Sequence, residues 1–138
     1  MIKEIVEAIS TLEKLREKPL NEIVKDKVLS AAILWYLYVA VQGCIDLAFK
    51  IVSKLELETP ESYADAFRVL RENNFINETL CDSLVKMARF RHILAHRYSR
   101  IDLKIVYSIL HKDLEDIKQF VSVVIKKLEE KGFKIEDF

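Results

Sequence analysis

The sequence predicts an all-α protein, folded as an up-and-down bundle of four or five helices. Apolar residues recur at steps of three and four along nearly the whole chain, which is the spacing of helix faces that pack on a core. The 138 residues include only two glycines and two prolines, so the chain turns seldom and its elements are long. The sequence shows no repeat or linker, and residues 1–138 are predicted to form one domain with its own core.

Stripes of apolar residues define the first two helices. Ile2 and Ile9 belong to the first stripe, and this helix should stop before Pro19. Asn21 can cap the next helix, whose stripe continues through an apolar run to about residue 57. A helix of that length, roughly 50 Å at 1.5 Å per residue, is expected to form the spine of the bundle. The aromatic residues of the apolar run, Trp35, Tyr36 and Tyr38, are expected in the core.

Start signals mark the middle helices. Thr59, Pro60 and Glu61 combine a capping hydroxyl, a proline at the first helical position and an acid near the positive helix end. The helix that starts there should end near residues 73–74. Asn77 starts another helix, which runs into a segment rich in arginine and histidine.

The last helix has the clearest stripe in the chain. Ser99 and Asp102 offer capping groups ahead of it, and Gly132 is placed to end it. One helix is predicted to span its apolar positions, which are Leu103, Val106, Leu110, Leu114, Ile117, Val121, Val124 and Leu128.

Positive charge is concentrated in one part of the chain. The net charge is zero, so the global basic excess that is typical of nucleic-acid binders is missing. Residues 86–104 nevertheless hold two of the three histidines and six basic residues against Asp102 alone, whereas residues 56–82 are mainly acidic. The basic residues are Lys86, Arg89, Arg91, Arg97, Arg100 and Lys104. We interpret this segment as a local anion-binding surface; the alternative is a solvated charged face without function.

The sequence predicts a cytoplasmic protein that does not enter a membrane. Met1 is followed by a charged amphipathic segment, unlike a secretory signal. The most apolar run, Ala31 to Val41, is shorter than the ~20 residues that a membrane span requires. Cys44 and Cys81 are too few and too isolated to predict a disulfide framework or a metal cluster.

The segment from Arg91 to Tyr98 holds chemistry that a structural helix does not need. Two guanidinium groups, two imidazoles and a phenol lie within about two helical turns. Arginine binds anionic oxygens, and histidine moves a proton near neutral pH because its unperturbed pKa is about 6.5. This combination suits a phosphodiester substrate better than most others.

Helix geometry limits how these side chains can meet. On an ideal helix, Arg91 and Tyr98 are about 20° apart, and His92 and His96 are about 40° apart. Arg91 and His96, however, are about 140° apart, so one straight helix does not aim both at the same substrate atom. Either the helix ends or bends near His96, or the site forms where two chains meet, as in a homodimer.

The segment contains a pattern of fixed spacing, in which Arg91 is followed after four residues by His96 and after one more residue by Tyr98. This pattern resembles the signature of HEPN-domain proteins, and of the HepT-like toxin family within them. The similarity covers most of the chain, from about residue 21 to residue 132. The family usually has asparagine or another small polar residue where this chain has His92. The resemblance implies a HEPN-like helical domain, a homodimer with the motif at its interface, and a metal-independent endoribonuclease without a cofactor.

The resemblance also implies roles for individual residues. His96 would act as general base or acid, and Arg91 would bind the phosphoryl oxygens and stabilise their charge. His92 would carry a second proton or orient the site. RNA phosphates would be held by basic side chains, namely Lys86, Arg89, Arg97 and Arg100. In this family a minimal nucleotidyltransferase antitoxin silences the toxin and can transfer AMP to the motif tyrosine, here Tyr98.

Other interpretations of these residues stay open. His92 and His96, at spacing i and i+4, suit a metal ion, but no third ligand with suitable spacing accompanies them, so we predict no metal site. Alternatively, His96 is a core or helix-end histidine, and Arg91 is the ion-pair partner of Asp82 or Glu78. For the whole chain, the alternatives are a non-catalytic HEPN module that binds a nucleotide or a partner, and a plain helical oligomerisation domain.

Overall fold

A computed structural model describes residues 1–96 and 100–138 of the chain. Within these residues the backbone forms seven α-helices, a short 3-10 turn and no strand, which confirms the predicted all-α class. The helices are α1 (Ile2–Leu15), α2 (Leu20–Lys25), α3 (Lys27–Lys54), α4 (Tyr63–Glu72), α5 (Glu78–His96), α6 (Leu103–Lys112) and α7 (Leu114–Glu130), and the 3-10 turn is Ile135–Asp137.

The helix predicted from Asn21 to about residue 57 is divided at Asp26. The backbone of Asp26 is extended, with φ at −100° and ψ at 102°. Its carboxylate accepts hydrogen bonds from the N–H groups of Val28 at 3.0 Å and Leu29 at 3.1 Å, and so caps α3. Asn21 is not the cap expected from the sequence, because it lies inside α2.

The last helix is divided in a similar way at Asp113. The N–H of Asp113 donates to the carbonyl of Ile109 at 2.8 Å and ends α6, and the same residue precedes α7. Partial burial raises the pKa of the Asp113 carboxyl, and the nearby charge of Asp116 raises it further. The apolar stripe is continuous in sequence, but it belongs to two consecutive helices.

α4 begins later than its predicted start signal at residues 59–61. Ser62 Oγ accepts a hydrogen bond from the N–H of Asp65 at 3.0 Å, and Asp65 in turn accepts one from the N–H of Glu61 at 2.9 Å. The first bond satisfies a free N–H group of the helix start, and the second ties the residue before the cap to the first turn. They therefore set the first helical residue at Tyr63.

Asn77, Asp102 and Gly132 mark helix ends as predicted. Asn77 accepts from the N–H of residue 80 at 2.8 Å, and Asp102 accepts from that of residue 104 at 2.9 Å. Gly132, at φ +86°, follows the end of α7 and donates to the carbonyl of Glu129 at 3.0 Å. Ser99, the other predicted cap, lies outside the described residues.

α3 is the central helix, and α1, α2, α4, α5 and α7 all pack on it. Leu37, Leu47 and Ile51 of this helix are fully buried. The approach of α1 is close at Gly43, where an added Cβ atom would lie 2.5 Å from Cγ1 of Ile5. The side of α3 that faces α5 positions the candidate site.

α3 is also long and apolar enough to cross a membrane, judged by length and composition alone. The apolar run at residues 31–41 was expected to be too short for a membrane span. That expectation is wrong, because the run belongs to a helix of 28 residues. Ten side chains of α3 are buried against the other helices. Central helices of bundles have the same length and composition, since they are apolar on most sides.

Candidate active site

The last two turns of α5 present the part of the motif that the structure describes, from Arg91 to His96. Leu94 is buried and holds this segment against the core, while Arg91 is half-buried and His92 and His96 are exposed. α5 packs on both α3 and α4. An arginine in this position can be anchored by the neighbouring helices and still reach solvent.

Arg91 is held by neutral groups from two other helices. Its Nε donates a hydrogen bond of 2.5 Å to Oε1 of Gln42 on α3. Its guanidinium carbon lies 5.6 Å from the ring centroid of Tyr38 and 5.4 Å from that of Tyr63, within the range of cation–π contacts. Arg91 forms no ion pair with any described residue, so the alternative of a salt bridge to an acid of its own helix is wrong.

Gln42 is itself oriented by Asp46. The amide nitrogen of Gln42 donates to Oδ1 of Asp46 at 2.8 Å, which leaves the amide oxygen facing Arg91. Tyr38, Gln42 and Asp46 are four residues apart and form one polar stripe along an otherwise apolar helix. Sequence reasoning missed this stripe, although its spacing was a usable signal. Tyr63 carried no such signal.

His92 and His96 form an exposed pair on α5. Their ring centroids are 4.7 Å apart and their planes meet at 50°. The exposure of His96 excludes the alternative of a core histidine. Among the described residues, no group of three His, Cys, Asp or Glu side chains is arranged to hold a metal ion. The pair is suited to proton transfer with a bound substrate.

Arg89 lies on the side of α5 that faces α4. It is exposed and borders a cavity of about 390 Å³ together with Tyr63 and Arg68. Tyr63 is also the ring that contacts Arg91. Tyr63 thus lies between the guanidinium of Arg91 and a cavity that two further arginines, Arg68 and Arg89, border.

The other predicted RNA-binding residues are placed differently. Lys86 borders a separate cavity of about 180 Å³ beside Asp113, away from the contacts of the motif arginine. Arg100 is exposed shortly before α6. Arg97 and Tyr98 lie outside the described residues, so their predicted roles are not placed in the structure.

An apolar groove of about 430 Å³ opens beside the motif, between α3 and α5. Trp35 was expected in the core, but 60% of its surface is exposed, and Tyr36 and Tyr38 are half-buried. The expectation for Trp35 is wrong because α3 is apolar on most sides, so its composition does not reveal which side faces the core. The groove is lined by Ala31, Leu34, Trp35, Tyr38, Leu94 and Ala95.

Comparison with known proteins identifies the family. Residues 5–124 match the family described as ribonuclease HepT-like. The chain belongs to this family. It is 34% identical over 104 residues to the mRNA nuclease HepT of Shewanella oneidensis, and the match covers 75% of this chain and 78% of that protein. Membership of the HepT-like family confirms the predicted enzyme class, an endoribonuclease.

Solved structures confirm the fold of this HepT-like ribonuclease. The tri-AMPylated HEPN toxin of Shewanella oneidensis, in complex with the MNT antitoxin, matches with a TM-score of 0.82 at 30% identity, covering 91% of this chain and 93% of its own. A toxin–antitoxin structure with AMP-PNP matches with a TM-score of 0.80 at 30% identity, covering 89% and 92%. The fold is thus HEPN-like, and toxin–antitoxin pairs are the setting in which these relatives occur.

Proposed function

We propose that this HepT-like ribonuclease is the toxin of a toxin–antitoxin pair and cleaves RNA without a metal ion or cofactor. The observation that carries the proposal is an anchored guanidinium, that of Arg91, on the same helical turns as the exposed pair of His92 and His96. One group stabilises negative charge and the other two move protons, which is the chemistry that RNA transesterification needs. We assign residues 1–138 to one HEPN-like domain that works in the cytoplasm, away from membranes.

In the proposed reaction, the RNA 2′-hydroxyl attacks the adjacent phosphorus. The bond from phosphorus to the 2′-oxygen forms, and the bond to the 5′-oxygen breaks. One imidazole takes the proton of the 2′-hydroxyl and a second gives a proton to the leaving 5′-oxygen, each step contributing about 10²–10⁴-fold in rate. We assign these steps to His96 and His92, whose rings are 4.7 Å apart.

Arg91 is assigned to the phosphoryl oxygens of the scissile phosphate. Gln42 engages its Nε–H, and the two flanking tyrosines contact the guanidinium without neutralising it. The two terminal nitrogens can then bind a phosphate in the planar, bidentate geometry of arginine. Charge that develops on phosphorus is stabilised by a group already in place.

The flanking basic residues are proposed to hold the RNA strand by its phosphates. Arg89 is the best placed, because it borders the cavity next to Tyr63. Arg100 is exposed beyond the motif, and Arg97 is included from sequence alone. Lys86 borders the same cavity as Asp113, away from the motif. It is therefore proposed to contact only an RNA strand that extends from the motif across to α6.

We propose a homodimer in which the apolar groove beside the motif is buried. The groove includes Leu94 and Ala95, which lie between the two motif histidines, and Trp35 projects from it. A second copy on this face would bring two motifs together, so that Arg91 of one copy and His96 of the other can share a substrate. That arrangement removes the difficulty of their separation by about 140° on one helix.

The proposed partner is a minimal nucleotidyltransferase antitoxin that transfers AMP to Tyr98. The toxin of Shewanella oneidensis, which is tri-AMPylated and bound to an MNT antitoxin, supports this proposal. In the transfer, the Tyr98 phenol oxygen attacks the α-phosphorus of ATP and pyrophosphate leaves. The anionic adduct, two residues from His96, would block the site and repel RNA phosphate.

Cleavage of a synthetic RNA by the purified protein in EDTA tests the proposal. We expect the wild type to cut, and His96→Ala and Arg91→Ala to lose at least about 100-fold in rate. His111→Ala is the matched control: His111 is the third histidine, lies on α6 outside the motif and is exposed. Its rate should equal that of the wild type.

Two outcomes would contradict the proposal. Full activity in His96→Ala would overturn the assignment of the motif. No cleavage by a wild type whose intact mass shows no modification would favour the alternative, a non-catalytic HEPN module that binds a nucleotide or a partner. An added AMP mass on an inactive sample would instead identify a silenced toxin, and the test is then repeated on protein produced without the antitoxin.

A further inference from the structure

We infer that Gln42 is a positioning residue for the reaction, and that Asp46 acts behind it by fixing the direction of its amide. The inference rests on the proposed function, since it assigns to Gln42 the task of holding Arg91 in its catalytic orientation. Neither residue belongs to the Arg91-to-Tyr98 segment, and both lie on α3.

The three side chains form a directional relay between two helices. Oδ1 of Asp46 accepts from the Gln42 amide nitrogen at 2.8 Å, and Oε1 of Gln42 accepts from Nε of Arg91. An amide has one donor side and one acceptor side, so its orientation decides whether it attracts or opposes a guanidinium. Asp46 can only accept when ionised, and it therefore turns the acceptor side of Gln42 toward Arg91.

A neutral acceptor at this position preserves the charge of Arg91. A carboxylate in place of Gln42 would pair with the guanidinium in a bidentate ion pair and compete with the substrate phosphate. Glutamine engages the guanidinium at Nε, away from the edge that the two terminal nitrogens form. That edge is the one assigned to the phosphate. The negative charge lies on Asp46, which is separated from Arg91 by the Gln42 side chain and is exposed to solvent.

Two aromatic side chains also contact the guanidinium. Tyr38 and Tyr63 contact Arg91, and each ring has its own aromatic support on α3. The Tyr38 ring centroid lies 5.9 Å from that of Trp35, and the Tyr63 centroid lies 6.0 Å from that of Phe49. Because these contacts have little directionality, the hydrogen bond that Arg91 Nε donates to Gln42 sets the rotation of the guanidinium plane.

Steady-state cleavage kinetics in EDTA give the first test. Gln42→Leu removes the acceptor at similar size, and Gln42→Glu replaces it with a charge. We expect Gln42→Leu to lower kcat by roughly tenfold to 100-fold while KM changes less than about threefold, because the lost interaction acts in the transition state. Gln42→Glu should lower kcat similarly and also raise KM, because its carboxylate competes with the substrate phosphate for Arg91. Asp46→Asn frees the Gln42 amide to turn and should lower kcat by about threefold.

The chain offers matched controls for both positions. Gln119→Leu changes the only other glutamine, which is exposed on α7, and Asp82→Asn changes an exposed aspartate on α5. Both should keep the wild-type kcat. A kcat in Gln42→Leu equal to that of Gln119→Leu, with RNA cleavage by the wild type intact, would overturn the inference and leave the proposed function standing.

A readout without RNA separates the inference from the proposed function. In ¹⁵N-labelled protein, the Nε–H signal of Arg91, identified by its absence in Arg91→Lys, should be protected from exchange with water. Gln42→Leu should abolish this protection, while Gln119→Leu should not. If the wild type fails to cut RNA but the protection depends on Gln42, the proposed function fails and the anchoring of Arg91 stands. If the protection is unchanged in Gln42→Leu, the positioning role is overturned whatever the cleavage result.

Discussion

His92 stands where the signature that the motif resembles is expected to have asparagine or another small polar residue. Its ring is exposed and lies 4.7 Å from that of His96. An asparagine at this position can orient a neighbour by hydrogen bonding, but it does not exchange a proton near neutral pH. In the proposed reaction, His92 therefore acts as a proton carrier in addition to His96.

His92→Asn, which restores the usual kind of residue, separates proton transfer from orientation. If His92 carries a proton, kcat should fall roughly tenfold or more at neutral pH, and the bell-shaped dependence of kcat on pH should lose one limb. The pH–rate profiles of the wild type, His92→Asn and the control His111→Asn decide the matter. An unchanged bell shape in His92→Asn would restrict His92 to an orienting role.

The residues of the site differ in how far the sequence could predict them. Arg91 and His96 lie in a motif of fixed spacing, so their chemistry was visible without a structure. Gln42 is 49 positions away from Arg91, and the two meet only because α3 packs on α5. Trp35 was misplaced for a related reason: an apolar residue on a helix that is apolar on most sides gives no sign of its exposure.

At the scale of helices, the close approach of α1 to α3 depends on Gly43. We expect Gly43→Ala to lower the free energy of unfolding by up to about 2 kcal/mol, because overpacking costs about 1–3 kcal/mol and the better helix propensity of alanine returns about 1 kcal/mol. Ile5, the side chain that a Cβ would meet at 2.5 Å, is fully buried and has little room to move. Urea denaturation measures the difference.

A double-mutant cycle identifies the cause of that loss. In Ile5→Ala the opposing side chain is gone, so adding Gly43→Ala to it should cost nothing or stabilise the protein slightly. If Gly43→Ala is equally destabilising with and without Ile5, the effect does not come from this contact.

Helix boundaries were predictable where a capping residue stood alone, as at Asn77 and Gly132. They were missed at Asp26 and Asp113, because the apolar stripe runs through both positions and masks the break. The carboxylate of Asp26 accepts hydrogen bonds from two N–H groups at the start of α3. Inside a continuous helix those N–H groups would bond to backbone carbonyls instead, and the carboxylate would have no such role. A local hydrogen bond thus overrides the apolar periodicity from which the longer helix was predicted.

At the scale of the whole molecule, the exposed Trp35 and the groove around it are the features that a second copy would cover. We expect Trp35→Glu to convert a dimer into a monomer without loss of helix content, because burying an unpaired carboxylate in an apolar interface is costly. RNA cleavage should fall together with dimerisation. Light scattering coupled to gel filtration, and far-UV circular dichroism, measure the two properties.

Ile105→Glu is the control for this change, since Ile105 is also an exposed apolar residue but lies on α6 and does not line the groove. It should leave the dimer intact. A wild type that is monomeric and fully active at the assay concentration would show that one copy assembles the site by itself, and the proposed dimer would then be wrong.

The exposed tryptophan has a consequence for dosage. In the proposed dimer, a second copy must cover the groove before RNA is cut. When the protein concentration is below the dimer dissociation constant, the concentration of active dimer then varies with the square of the monomer concentration. Halving the amount of free protein then lowers the cleavage rate about fourfold by mass action. An antitoxin that acts on such a dimer therefore does not have to capture every molecule to protect a cell. It has to keep the concentration of uncaptured protein below the dimer dissociation constant.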